Sequence, residues 1–320
     1  MKNLTLSLLA LITLLQSCAP AKLLQPPIAY QPGYAIAMRQ KTETETLLKM
    51  FGEEEKQYST NVTEYEYHVT EVLPDSRIKW EMTMTRFIVE NEDADGHQSK
   101  YDTQDPERDT SDKKKQMFDK MVGVPLFMTT TKEGEMLEFS GADALFEKML
   151  DGFKDKPEMA AMEATIKKGY GDTAMMQTVR NMWGHLPKKP VRVGDKWRTS
   201  LDLPGIVRLK TDYTYKLKSR NTEQAIINTK TTARSISGKS SEMDLGVVKI
   251  AYELSGHGDG DIVITQPGGI LKQSTQTIQL KGVMHMEGNS FPKMDVPIST
   301  KTRVTTEQKE LPLLLPTNRN

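Results

Sequence analysis

The chain has one cysteine, Cys18, in 320 residues. No disulfide can form within it, and no free thiol nucleophile remains once that sulfur is modified. Aromatic residues are sparse at 7%, and there are only three tryptophans. Neither sign of charge is in surplus, with 43 Lys and Arg against 43 Asp and Glu and no long block of either. A chain without a basic excess has no electrostatic footprint for the phosphate backbone, so nucleic acid is not an expected partner. Long apolar runs are also missing, apart from residues 4–15. That run is well short of the roughly 20 residues a membrane-crossing helix needs.

The first residues instead have the parts of an export signal. Lys2 gives a positive start, Leu4 to Leu15 an apolar stretch, and Ser17 and Ala19 are small residues around the cysteine. The Leu15-Gln16-Ser17-Cys18 tetrad resembles the lipobox of bacterial lipoproteins. That resemblance implies removal of residues 1–17 and acylation of Cys18, which then anchors the chain in a membrane through several acyl chains. The following Ala19-Pro20-Ala21-Lys22 lacks the aspartate of inner-membrane retention, so the expected address is the outer membrane, facing the periplasm. Residues 18–32 carry Pro20, Pro26, Pro27 and Pro32 and no helical or strand period, which reads as a tether.

Beyond Gly33 the pattern has period two. Thr63, Tyr65, Tyr67 and Val69 alternate with charged or polar residues. Ile78, Trp80, Met82 and Met84 do the same after a turn at Pro74-Asp75. The phase changes near Arg86-Phe87, which predicts a bulge. A short helix is expected near 112–121, then a hairpin around residues 132–135. Leu145, Phe146, Met149, Leu150 and Phe153 fit one face of a helix, as do Met175, Val179, Met182, Trp183 and Leu186. A further helix is expected over 157–168. Period two then returns: Val207, Leu209, Thr211, Tyr213, Tyr215 and Leu217 share one face, and lysines, Arg208 and Asp212 lie on the other. The Tyr-x-Tyr-x-aliphatic pattern at 65–69 and 213–217 allows either a diverged duplication or two similar hairpins.

The expected fold is α+β, dominated by antiparallel sheet. Two β-rich halves, 33–141 and 187–310, form curved sheets or open half-barrels on either side of a helical insertion at 142–186. The tail is 311–320. The Pro190-Val191-Arg192-Val193-Gly194-Asp195-Lys196-Trp197 segment, the turn at Gly268-Gly269, the lipobox and the tether resemble an uncharacterised family of lipoproteins common in Bacteroidetes-type genomes. That resemblance implies a secreted β-rich domain of unknown function and supplies no catalytic residues.

Chemistry-bearing motifs are few. His68, His97, His185, His257 and His285 include no pair at the i, i+4 spacing of a helical metal site. Gly238-Lys239-Ser240 would need a glycine where Ala233 stands to end a phosphate-binding loop, and no Gly-x-Ser-x-Gly elbow exists. Asn91, Asp93, Asp95 and Asp102, with Gly96 at the turn, reproduce part of the spacing of a calcium loop; a solvated acidic hairpin uses the same residues. The 19 methionines could serve copper(I), but at Met284-His285-Met286 a strand points the sulfurs one way and the imidazole the other. No cofactor is expected and no enzyme.

Two readings of function remain. In the first, Leu145, Met149, Met175, Val179, Met182 and Trp183 face the sheet and line a site for an apolar or lipid-like ligand in the envelope. In the second, the protein is a scaffold that binds an envelope protein partner through an exposed patch or sheet edge and has no ligand cavity.

Overall fold

The computed structural model describes residues 30–132, 135–150, 171–176, 186–187, 189–203, 207–236, 243–244, 248–266, 270–288 and 291–312. Within them, thirteen strands pair into a single antiparallel sheet. The first half supplies β1 (Ala35–Met50), β2 (Glu53–Val72), β3 (Ile78–Glu92), β4 (Gln98–Asp102), β5 (Pro125–Thr130) and β6 (Met136–Ser140). Helix α1 (Lys113–Asp119) precedes β5, and α2 (Ala142–Leu150) follows β6. The second half supplies β7 (Lys196–Leu203), β8 (Leu209–Arg220), β9 (Gln224–Ser235), β10 (Met243–Asp244), β11 (Val248–Thr265), β12 (Leu271–Gly288) and β13 (Phe291–Leu311).

The spatial order is β6-β5-β3-β2-β1-β13-β12-β11-β9-β8-β7, with β4 added to β3 and β10 to β11. Each half is a meander. The two are joined where β1 pairs with β13, from Ala35 opposite Leu311 to Leu48 opposite Ile298. This corrects the expected α+β architecture of two β halves around a helical insertion. Two separate sheets would leave β1 and β13 with unpaired backbone donors and acceptors along their whole length, and pairing them removes both edges at once. Of the expected helical block, the described residues contain α2 and a short helical turn at 172–176. Residues 151–170 and 177–185 lie outside the described residues.

One local expectation that holds is the bulge, and one local feature, the β1–β2 turn, was not read from the sequence. The β2–β3 ladder shifts register where Glu64 opposes Arg86 and Tyr65 opposes Met84, which places the bulge at the phase change read from the sequence. The β1–β2 connection is the two-residue turn Phe51-Gly52, with φ of 52° and 90°, the geometry that matches the twist of the flanking strands.

The apolar residues of the first half gather on one face of the sheet. Ile36, Met38, Tyr67, Val69, Trp80, Met82 and Met128 are buried there beneath Leu145 and Met149 of α2. The Trp80 indole N–H donates to Thr130 Oγ1 at 3.0 Å, so this buried donor is satisfied. Tyr30, on the chain arriving from the tether, packs edge-on against Trp80 and Tyr34. Helix α1 lies on the same face, Phe118 against Phe87 and Tyr101. In the second half, Val191, Tyr215, Leu217, Ile227, Ile262 and Ile264 form one cluster, and Ala233, Leu254 and Leu280 another.

A crease runs along the β11–β12 ladder. A Cβ at Gly258 would sit 2.2 Å from the Thr277 carbonyl oxygen, one at Gly260 2.2 Å from that of Thr275, and one at Gly256 1.8 Å from that of Gln279. Gly282, across the ladder, is as tight against Glu253. All four glycines point to the face that carries the cores. The partner strand can come this close only because each of these positions lacks a Cβ, so the sheet folds toward that face, which becomes the inner one.

Candidate functional site

Opposed residues in an antiparallel ladder share a face, so the inner surface can be followed across the whole sheet. One row reads Asn91, Ser59, Thr44, Thr302, Ile278, Gly258, Thr231, Tyr213 and Thr199. The next reads Val89, Asn61, Thr42, Val304, Gln276, Gly260, Thr229, Tyr215 and Trp197. These rows cross the middle of the strands. They form a belt of hydroxyl and amide groups with apolar zones toward both strand ends.

None of these residues is charged. Among the described ladder positions, charge on the inner face is confined to strand ends, at Glu53, Glu55, Arg220 and Glu310. The outer face is the opposite: Arg39, Lys41, Glu43 and Glu45 on β1 alone point there. Strict alternation over strands of up to 21 residues produces this division. Ionisation does not restore charge to the inner face, because burial raises the Tyr213, Tyr215 and Tyr252 phenols above their ordinary range and keeps them neutral.

The belt is only partly covered. Thr42, Thr44, Asn61, Gln276, Ile278, Thr302 and Val304 are all half-buried. Toward the end of the strands near the Phe51-Gly52 turn, Leu48, Tyr252, Met286 and Ile298 are half-buried as well. The Thr44 and Thr302 hydroxyls meet at 3.3 Å. Deeper in, Thr211 and Thr229 are 1% and 2% exposed, and their hydroxyls have no hydrogen-bond partner among the described residues. A buried polar atom left unpaired is costly, and these two hydroxyls place that cost beneath the belt.

The residues singled out from the sequence fall elsewhere. Leu145 and Met149 are buried in the first-half core, and Met175 packs against it half-buried. Val179, Met182 and Trp183 lie outside the described residues, as do Cys18, most of the tether, and the Gly238-Ser240 and Gly268-Gly269 turns. The calcium constellation is divided. Asp93 Oδ1 accepts the backbone N–H groups of Asp95 and His97 in the β3–β4 turn, and these hydrogen bonds, His97 first, hold its carboxyl below the usual range. Asp102 opposes Ile88, about 13 Å back along the ladder from Glu92, and forms a two-pronged pair with Arg86 at 3.0 and 2.5 Å. Asp93 and Asp95 bring their ligand atoms together with that of His97 in this exposed turn, and Asp102 is not in the group.

The histidines of the strands are on the outer face. His68 meets Glu66 at 3.3 Å, and His285 Nδ1 meets Asp295 at 2.7 Å. Two clefts lie outside the middle of the belt, the larger of them reaching Asn91 at the belt's edge. One, of about 390 Å³, lies on the outer face among Tyr58, Thr60, Glu90, Glu92, Gln98 and Lys100. The other, of about 220 Å³, lies where β1 begins and β13 ends, beside Ile36, Leu271, Lys272 and Lys309. Neither is an apolar cavity between helices and sheet. The inner belt went unrecognised as a site because its signal was only the uncharged half of each alternating strand, spread over residues 40 to 306.

The fold and this face together define an open, all-antiparallel sheet protein with one charged and one uncharged side. The chain belongs to DUF6263, a family of unknown function, which matches residues 75–271. No curated protein matches it. Among solved structures it is similar to lipovitellin, in a study of lipid–protein interactions, at 11% identity and a TM-score of 0.48 over 91% of this chain and 26% of that one. It thus spans about a quarter of lipovitellin's length. Two outer-membrane proteins also align: the COG4313 channel of Pseudomonas putida F1 at 7% identity and TM-score 0.24, over 88% of this chain and 97% of that one; and Salmonella typhi OmpF with daunomycin at 7% and 0.25, over 88% and 99%. At TM-scores below 0.5 these likenesses have no bearing on what the chain binds. Among the described residues, no helix is long and apolar enough to cross a membrane.

Proposed function

We propose that the protein is an outer-membrane lipoprotein, held by acyl chains on Cys18, that binds an apolar or lipid-like ligand on the inner face of its sheet. One observation carries this reading: among the described ladder positions the inner face is uncharged between the strand ends, and its middle is half-exposed. A soluble domain gains nothing from leaving so broad an uncharged surface to water, whereas a ligand laid across it removes both surfaces from water. The tether suits such a role. Eleven residues separate Cys18 from Tyr30, a reach of at most about 43 Å over twelve steps of the chain, which keeps the sheet within range of the bilayer.

The test is native mass spectrometry of the mature domain, with Cys18→Ala, after incubation with envelope lipid extract. A discrete added mass is expected. It is lost in Thr302→Glu, which puts a charge in the belt, and kept in Thr305→Glu, which puts one on the outer face of the same strand. A bare protein mass, under conditions where a known lipid carrier keeps its ligand, refutes the reading.

A second reading, a scaffold for an envelope protein partner, is favoured by Phe51, which is 90% exposed at the tip of the β1–β2 hairpin. A photo-crosslinker at position 51 that yields a discrete adduct, absent when placed at Thr305, is its distinguishing result.

A further inference from the structure

We infer that the inner face selects uncharged amphiphiles, neutral glycerolipids in particular, over anionic lipids with the same acyl chains. This rests on the binding role proposed above and names the ligand's chemistry.

Recognition of a phosphate or carboxylate headgroup depends on Arg or Lys, whose charged hydrogen bonds replace the anion's hydration. Across the belt no inward ladder position carries either residue. An anion placed there loses water and gains no counter-charge. A pure hydrocarbon fits no better. It covers the half-buried Asn61, Thr302 and Gln276 and takes water from them. Among the described residues the Thr302 hydroxyl then keeps only Thr44 at 3.3 Å and the Asn61 amide only Ser59 at 3.5 Å, which leaves the rest of their donors and acceptors unmet. Thr211 and Thr229 already hold hydroxyls buried and unpaired among the described residues. The chemistry that meets both conditions is an uncharged polar group with its own donors and acceptors, such as an ester carbonyl or a free hydroxyl, joined to apolar chains.

The layout of the face follows the same division. The polar belt crosses mid-strand, and half-buried apolar side chains lie beyond it toward the Phe51-Gly52 end of the strands, Leu48, Ile298 and Tyr252 among them; toward the other end Met38 is buried in the first-half core. Ester linkages seated on the belt leave acyl chains free to run toward the Phe51-Gly52 end.

Three probes separate the outcomes: 1,2-dioleoylglycerol, dioleoylphosphatidylglycerol and squalene, each offered to the mature Cys18→Ala domain and read by native mass spectrometry. Retention of dioleoylglycerol about ten-fold or more above both others is expected. In Thr302→Lys the preference should turn toward dioleoylphosphatidylglycerol, because the belt then holds a cation; Thr305→Lys, on the outer face, should leave it unchanged. Equal or better retention of dioleoylphosphatidylglycerol by the unsubstituted belt overturns the selectivity and leaves the binding role standing. So does better retention of squalene. Retention of none of the three overturns the binding role itself and the selectivity with it.

Discussion

Gly258→Ala tests the crease because a creased and a flat sheet give it opposite signs. In the interior of an ordinary strand, replacing glycine by alanine stabilises by about 0.5–1 kcal/mol, through the entropy lost by the unfolded chain. At Gly258 the new Cβ lies 2.2 Å from the Thr277 carbonyl oxygen and 2.9 Å from the Ile278 Cα. Relieving this contact needs a shift of about 1 Å in backbone held on both sides, because Gly258 pairs with Ile278 of β12 and Thr231 of β9. Overpacking of this kind costs about 1–3 kcal/mol, and one or two weakened ladder hydrogen bonds add about 1 kcal/mol each. The expected loss is therefore about 2–4 kcal/mol. Urea unfolding followed by far-UV circular dichroism measures it, as a lower midpoint at unchanged slope. Thr277→Ala, on the outer face of the partner strand, serves as the control and should cost less than about 1 kcal/mol. A Gly258→Ala protein as stable as the parent, or more so, refutes the crease and with it the concave inner face.

Other expectations are independent of ligand. Asp102→Asn should cost about 1–3 kcal/mol at pH 7, since Asp102 is nearly buried against a partly exposed Arg86. The Arg86 hydrogen bonds are the main cause of the lowered Asp102 pKa, so this contribution is complete above the ordinary carboxylate value of 3.8 and fades as pH falls through the lower folded value. The difference between parent and Asp102→Asn should accordingly shrink in unfolding curves taken below about pH 3; a constant difference would mean the pair is not what the substitution removes. Thr130→Val should cost about 1–3 kcal/mol by leaving the Trp80 indole N–H unpaired, measured in the same urea assay, and a neutral result would show that the indole finds another acceptor. Phe51→Asn should raise stability by about 0.5–1 kcal/mol, since an exposed aromatic at φ 52° gives way to the residue this turn favours. A lower melting temperature for that variant would mean that the Phe51 ring has a contact within the fold.

Local features were legible in the sequence because they depend on neighbours along the chain. Side chains at i and i+2 of a strand share a face wherever the strand pairs, so Tyr65, Tyr67 and Val69, or Thr211, Tyr213 and Tyr215, were grouped correctly without knowledge of their partners. The bulge was legible for the same reason: a break in alternation at Arg86-Phe87 has to be absorbed by an extra residue. The helical stripe was legible as a stripe over its described part, while Val179, Met182 and Trp183 lie outside the described residues. Leu145 and Met149 do face the sheet, as part of an ordinary packed core.

By itself, then, the sequence determined the period of each strand and with it a charged and an uncharged side for every one. Only the tertiary structure decided that these uncharged sides make a single surface. That depended on β1 finding β13 more than 200 residues away, a pairing governed by the demand of two long edges for hydrogen-bond partners, for which no local pattern stands. The crease was equally hidden. Gly256, Gly258 and Gly260 are three glycines at alternate positions in any reading of the chain, and they become a fold line only because β12 brings carbonyl oxygens to where their side chains would have been.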